Sequence, residues 1–179
     1  NEWLAWSGDV VALAVLRFYA VYRAMVRAKV AALQGRIEAA ADYLALAERL
    51  GASPRLTLTI TFGLSGSGKT TASSARLLAD ATAATLRWRS DVERKRLFGL
   101  DADADSGGAI YSADASARTY ARLADLARAT LAHGWPVIID AAFLKRAERQ
   151  AFAALADGLG VPFVILACAA PVAPLRRRR

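Results

Sequence analysis

The chain has almost none of the side chains on which thiol or histidine chemistry depends. It contains one cysteine, Cys168, and one histidine, His133. A single thiol excludes an internal disulfide framework, and the reading that follows is a reducing, cytoplasmic setting. A single imidazole excludes a metal site built on two histidines, and His133 precedes Gly134-Trp135 at a helix end, where it can meet terminal carbonyls. Long apolar runs are also missing: Val10 to Leu16 is cut by Arg17, too short to cross a bilayer, so no membrane partner is expected. The opening Asn1-Glu2-Trp3 puts no basic stretch ahead of an apolar one, so no secretory leader is expected in it. The hydrophobic fraction of 55% owes much to alanine, which favours helices rather than membranes. Net charge is +8 and arginine dominates it. Because the arginines are scattered, solvated helix faces are the favoured reading and nucleic acid the less favoured one.

What is present is a complete phosphate-binding loop. Gly63-Leu64-Ser65-Gly66-Ser67-Gly68-Lys69-Thr70 fits G-x-x-x-x-G-K-[ST] at every fixed position. The alternating Arg55 to Phe62 before it reads as a strand, and the Ala- and Leu-rich Thr70 to Asp80 after it as a helix. Phosphate binding needs that order. A strand ends, glycines let the backbone wrap phosphate oxygens, and a helix N-terminus adds partial positive charge. Gly63, Ser65, Gly66, Ser67, Gly68, Lys69, Thr70 and Thr71 are therefore the expected ATP-binding residues. Lys69 is expected at the β- and γ-phosphates and the Thr70 hydroxyl on Mg²⁺.

Downstream, strands are expected at 84–89, 135–140 and 161–168, and helices near 69–80, 91–98, 112–133 and 145–158. The alternation predicts an α/β P-loop NTPase fold of the nucleotide-kinase type, a parallel sheet flanked by helices. Trp135-Pro-Val-Ile-Ile and Val161-Pro-Phe-Val-Ile-Leu-Ala read as strands covered on both faces. Upstream, apolar residues recur at helical spacing over 9–34, and 36–50 resumes the pattern. Gly51-Ala-Ser-Pro54 is a stop signal, so a domain boundary is placed there, with helices over 1–50 and the kinase domain over 55–179. The polar, Gly-rich stretch 99–109 reads as a loop; its Asp101-Ala-Asp-Ala-Asp105 imitates a calcium loop, but Ser106 and Ser112 stand where that loop needs glycine and glutamate.

Two carboxylates are candidates for the chemistry. Asp140 ends the apolar strand, placed either to hold Mg²⁺ opposite Thr70 or to cap the next helix, roles that do not exclude each other. Ala141-Ala142-Phe143 follows it without the second carboxylate that hydrolysing ATPases use to activate water. Asp91 follows the second strand and opens a helix, so it faces the ligand crevice of an open α/β sheet. There it can take the proton of an attacking hydroxyl. Arg94, one turn on, shares its face and could clamp an anionic part of the acceptor. The plain alternative is an N-cap aspartate beside a solvated arginine. Cys168, ending an apolar strand, reads as a small core residue.

At Gly63–Thr71, Arg89–Leu97, Thr119–Ala132 and Val137–Arg149 the sequence resembles the ATP-binding half of the bacterial bifunctional aminoglycoside phosphotransferase/ATP-binding proteins. That half belongs to the AAA-like P-loop kinases related to zeta toxins and polynucleotide 5′-kinases. The resemblance implies that Asp91 is the general base and Arg94 the acceptor contact. It implies an unidentified hydroxyl acceptor, and that residues 1 to about 48 are the last helices of an upstream phosphotransferase-like domain in a parent chain. The family usually has Asp-Ala-Thr-Phe where this chain has Asp140-Ala-Ala142-Phe143, and often Cys-Asp-Ala-Pro at Cys168-Ala169-Ala170-Pro171. The family's arginine-bearing lid is expected after Arg179, so the chain reads as a fragment, with Arg176–Arg179 either the start of that lid or a tail. No catalytic His-x-Asp is present, so no aminoglycoside chemistry resides here. The expected function is ATP- and Mg²⁺-dependent phosphoryl transfer to a hydroxyl. The alternatives are a nucleotide-driven switch or ATPase, and a binding module without turnover. A GTPase is disfavoured because the base-reading Asn-Lys-x-Asp is missing.

Overall fold

The computed structural model describes residues 1–101 and 112–169. Their elements run α1 (Glu2–Ser7), α2 (Leu13–Leu33), α3 (Ile37–Gly51), β1 (Leu58–Phe62), α4 (Lys69–Leu78), β2 (Leu86–Arg89), α5 (Ser90–Leu97), α6 (Ala113–Ala132), β3 (Val137–Asp140), α7 (Arg146–Gly158) and β4 (Phe163–Ala167). The strands form one sheet in the order β2-β3-β1-β4, every pair parallel. Ile60 lies opposite Ile139 and Ile165, and Arg89 opposite Asp140. Parallel registration brings the carboxyl ends of β1, β2 and β3 to one rim, where an open α/β sheet receives its ligand.

Alternation in β2 sorts the helices into layers. Trp88 is 1% exposed and its indole N–H donates to Thr130 of α6 at 2.9 Å. Arg87, on the opposite face, donates to Ser73 and Ser74 of α4 at 2.9 and 2.8 Å. Successive strand residues point to opposite sides, so α4 and α6 cover opposite faces of the sheet. The core between sheet and α6 holds Ile60, Leu86, Trp88, Leu123, Leu126, Val137, Ile139, Phe143 and Phe152. Each large aliphatic or aromatic side chain buried there contributes roughly 1.5–3 kcal/mol. The α6 N-terminus is fixed by Ser112, whose hydroxyl accepts from the Ala115 N–H at 3.1 Å.

The strands are shorter than the sequence suggests. β1 starts at Leu58 rather than 55, β2 at Leu86 rather than 84, β3 at Val137 rather than 135, and β4 at Phe163 rather than 161. The preceding residues are spent on turns: the Trp135 N–H bonds to the Thr130 carbonyl and the Ala83 N–H to the Asp80 carbonyl. β4 also departs from the expectation of two covered faces. Val164 and Ile165 are 38% and 44% exposed. Among the described residues β4 pairs on one edge only, with β1, which leaves its outer flank open. The loop over 99–109 and the tail Arg176–Arg179 lie largely or wholly outside the described residues.

The helix expected over 9–34 is present as α2 from Leu13, and the short α1 stands ahead of it, separated by Gly8 at φ 67° and a turn in which Asp9 accepts from the Ala12 N–H. Leu4 and Leu13 are both 1% exposed and belong to the same core as the sheet. The Asn1 side chain bridges the free edge of β2, accepting from the Arg87 N–H at 2.6 Å and donating to the Thr85 carbonyl at 3.3 Å. Arg17 donates to the Gly134 carbonyl at 2.7 Å and lies over the Trp135 ring. α2 and α3 form an antiparallel hairpin turned at Gly35, φ 73°. None of the described helices is long and apolar enough to cross a membrane.

Candidate functional site

The phosphate loop folds because its glycines permit what other residues resist. Gly66 and Gly68 take φ of 79° and 85°, so Leu64 to Gly68 turns tightly out of β1 and delivers Lys69 as the first residue of α4. Gly63 is required for a different reason. A Cβ there would meet Ser67 Oγ at 2.5 Å and press still closer on the Cys168 carbonyl oxygen. The loop is stitched to its neighbours by Gly63 N–H to the Ala142 carbonyl at 3.1 Å and Cys168 N–H to the Phe62 carbonyl at 2.7 Å.

Ser65, Gly66, Gly68, Lys69, Thr70 and Thr71 line a cleft of about 370 Å³ together with Arg89, Ser90, Asp91, Asp140 and Ala141. Gly63 is buried behind it, and the Ser67 hydroxyl is buried with no hydrogen-bond partner among the described residues. Lys69 Nζ donates to the carbonyls of Gly63 and Leu64 at 3.0 and 2.6 Å, so the ammonium curls over its own loop. Burial pushes the Lys69 pKa below its ordinary 10.5, against the pull of Asp140 and Cys168. A second cleft, of about 360 Å³, lies between Pro54, Arg76, Asp80 and Pro136, on the opposite rim of the sheet.

Asp140 is 6% exposed and held from three elements. Ser73 of α4 donates to Oδ2 at 2.8 Å, Thr61 of β1 approaches Oδ1 at 3.4 Å, and Arg87 of β2 stands 4.0 Å from Oδ2. Thr61 is itself locked by the Ala141 carbonyl and N–H, at 2.7 and 3.0 Å. Capping is not the role of Asp140, because α7 begins at Arg146, with Lys145 as its N-cap. A buried carboxylate facing a hydroxyl-bearing helix start is a hard-oxygen donor set, which fits Mg²⁺. Arg87 supplies the nearest compensating charge, and burial lowers its pKa in spite of Asp140.

Asp91 stands in the first turn of α5, whose N-cap is Arg89, and makes no capping bond. Its Oδ2 instead accepts from Arg89 Nη2 at 2.6 Å, at the cleft rim, with both side chains partly exposed. Arg94 is not among the residues lining this cleft; it lies half-buried on α5, where its charge is felt by Tyr120 of α6. The helix that carries both is anchored by Glu93, 1% exposed, which pairs with Arg96 and, at 3.6 Å, with Arg122 of α6. Arg96 also donates to the Ala5 carbonyl of α1 at 2.7 Å.

Sequence reasoning missed Thr61, Ser73, Arg87 and Arg89 as neighbours of the two carboxylates. The signal was present in part: Leu86-Arg-Trp-Arg89 alternates, which sends Arg87 and Arg89 to the face away from Trp88. It also missed Arg149, which donates to the Phe143 and Leu144 carbonyls at 2.6 and 2.9 Å and lies over the Phe62 ring just before the loop. Phe143 itself has φ 48° and donates its N–H to the Tyr120 hydroxyl at 3.0 Å.

Comparison with solved structures gives the same architecture. The Mycobacterium tuberculosis APS kinase CysC, in complex with AMPPNP and APS, is 26% identical with a TM-score of 0.54, over 70% of this chain and 69% of that one. The Pnkp1/Rnl/Hen1 complex has a chain 22% identical with a TM-score of 0.56, over 72% of this chain, which spans 40% of the length of that one. APE1195 is 22% identical with a TM-score of 0.54, over 71% of this chain and 70% of that one. No curated protein sequence matches. A parallel sheet, helices on both faces and a phosphate loop at the end of β1 make this an α/β P-loop NTPase fold of the kinase-like kind. With residues 58–179 matching that family's model, the chain belongs to the AAA domain family.

Proposed function

We propose that the chain transfers the γ-phosphoryl group of ATP to a hydroxyl of an acceptor, with Mg²⁺. The observation that carries this reading is the shared cleft: the phosphate loop, Asp140 and Asp91 line one space at the carboxyl rim of β1, β3 and β2. Backbone N–H groups from Gly66 to Thr71, with Lys69, would hold the phosphates, and the Thr70 hydroxyl with Asp140 would hold Mg²⁺, whose charge lowers the repulsion between phosphate oxygens. Asp91 accepts the acceptor's proton as the new O–P bond forms and the bond from the γ-phosphorus to the β,γ-bridging oxygen breaks, releasing ADP. Arg94, half-buried on the same helix and outside the cleft lining, would have to turn towards the rim to orient the acceptor. Positioning and charge stabilisation supply most of the acceleration. The APS kinase neighbour at 26% identity supports a kinase rather than a motor, as does the lack of a carboxylate beside Asp140.

The proposal includes the division into a helical segment, 1–50, and a kinase domain, 55–179, with Leu4 and Leu13 packed between them. Along α2 a stripe of exposed Val15, Phe18, Tyr22 and Met25, with Val11 in the turn before it, supports a docking face for an upstream phosphotransferase-like domain in a parent chain. The lone free cysteine supports a cytoplasmic setting.

The test is calorimetric titration of MgATP into the chain and into Lys69→Ala, with GTP as comparison, followed by an acceptor screen. Binding lost in Lys69→Ala, and acceptor phosphorylation lost in Asp91→Asn while MgATP still binds, are the expected results. Slow hydrolysis insensitive to Asp91→Asn would instead establish the ATPase or switch, and binding with no phosphorylation of any acceptor the module without turnover.

A further inference from the structure

The Asp91 carboxylate, the base of the proposed reaction, is already occupied. Arg89 holds Oδ2 at 2.6 Å, and both residues line the cleft that contains the phosphate loop. An ion pair of this exposure, 37% and 49% for the two side chains, contributes little to stability, so its place in the fold is not explained by folding energetics. Among the described residues the polar partner of the Arg89 side chain is Asp91, whereas its strand neighbour Arg87 is tied into α4 through Ser73 and Ser74. A planar guanidinium at the rim of a phosphoryl-transfer cleft is suited to a bidentate oxyanion. A carboxylate two residues away, that of Asp91, takes the place of such an oxyanion on Arg89.

We infer that Arg89 is a specificity-determining residue for an anionic acceptor, and that Asp91 stands in for the acceptor's own phosphate or sulfate until that acceptor arrives. The inference rests on the phosphoryl-transfer reading and names its substrate class: a hydroxyl compound carrying a tetrahedral oxyanion close to the hydroxyl that attacks. When the oxyanion takes the Arg89 guanidinium, Asp91 is released to receive the hydroxyl proton. Without it the carboxylate stays paired and water is a poor nucleophile in its place. A neutral acceptor leaves the pair closed. The arrangement couples acceptor charge to base availability through two side chains on consecutive elements, the last residue of β2 and the first turn of α5.

The test uses inorganic sulfate as the probe and reads binding rather than turnover. Sulfate is titrated calorimetrically, at constant ionic strength with chloride, into the chain carrying Lys69→Met, which weakens anion capture by the phosphate loop. Adding Asp91→Asn removes the internal competitor and is expected to tighten sulfate about tenfold, whereas adding Arg89→Met weakens it about tenfold or more, the usual scale for a charge-assisted hydrogen bond. Arg89→Lys keeps the charge without the fork and falls between. Opposite signs for the two neighbouring substitutions cannot come from misfolding. Sulfate binding that is unchanged by Arg89→Met, or that is not strengthened by Asp91→Asn, overturns the inference. The kinase reading is judged separately, by MgATP titration of the unsubstituted chain, so either idea can fail alone.

Discussion

The Ser73 hydroxyl reaches the Asp140 carboxylate at 2.8 Å, tying the helix that follows the phosphate loop to the end of β3. Ser73 lies one turn after Thr70, and its hydroxyl also contacts the Thr70 carbonyl at 3.1 Å. Ser73 thus holds the carboxylate proposed for Mg²⁺ beside the backbone of the residue whose hydroxyl is proposed as its partner.

Removing that residue separates metal binding from phosphate binding. Ser73→Ala leaves Asp140 buried and one donor short, a loss of roughly 1–3 kcal/mol in stability. Its affinity for ATP with Mg²⁺ is expected to fall towards that without Mg²⁺. In Asp140→Asn the two affinities become equal within error. Titrations of ATP with Mg²⁺ and with EDTA decide it, and a full Mg²⁺ enhancement in Asp140→Asn would remove Asp140 from the metal site.

Lys69 carries opposite consequences for binding and folding. Its pKa is depressed by burial, so below 10.5 the unfolded chain binds a proton more readily than the folded one. Stability limited by this lysine therefore rises with pH through the interval between its lowered pKa and 10.5. Lys69→Met is expected to lose nucleotide affinity at least tenfold, to be no less stable than the parent at pH 7, and to lack the alkaline rise. Urea unfolding at pH 7 to 10 measures the latter two.

Asp80 gives the acid limb. Burial alone would raise its pKa, but hydrogen bonds from the Thr82 and Thr85 hydroxyls and N–H groups bring it down to about 2 from 3.8. A depressed carboxylate stabilises the fold above its unfolded pKa, and that stabilisation is lost as pH falls from 3.8 through about 2. Asp80→Ala is expected to melt several degrees lower at pH 7, with the difference closing by pH 2. A gap in melting temperature that persists undiminished at pH 2 would argue against the ionised form as the source.

Gly63→Ala tests the loop's close approach. Its Cβ has no room between the Cys168 carbonyl and Ser67 Oγ, and its φ of 154° is one that L-residues rarely adopt. Loss of about 2 kcal/mol or more in stability, with nucleotide binding weakened beyond detection, is expected. Gly35→Ala, also at positive φ but with open space around it, serves as the control for backbone strain alone.

Much of this site was legible in local sequence. A phosphate loop is a contiguous backbone device, so Gly63 to Thr70 announced it. Asp140 and Asp91 were found because each follows an apolar or alternating strand, and strand ends in a parallel sheet converge on one rim. Strand starts were read too early because turn residues such as Trp135 and Pro136 are as apolar as the strand they feed. α1 escaped notice because six residues carry too little periodicity, although Leu4 reaches the core.

By itself the sequence determined most of the elements, the parallel character of the sheet and the place of the phosphate loop, because strand period, helix period and glycine spacing are properties of neighbouring residues. Only the tertiary structure decided who meets the two carboxylates. Thr61, Ser73 and Arg87 come from three different elements to surround Asp140, and Arg89 turns towards Asp91 rather than towards Asp140, its partner in register. Such contacts depend on how a sheet twists and which face a helix covers. No stretch of chain encodes those separately from the packing of the whole.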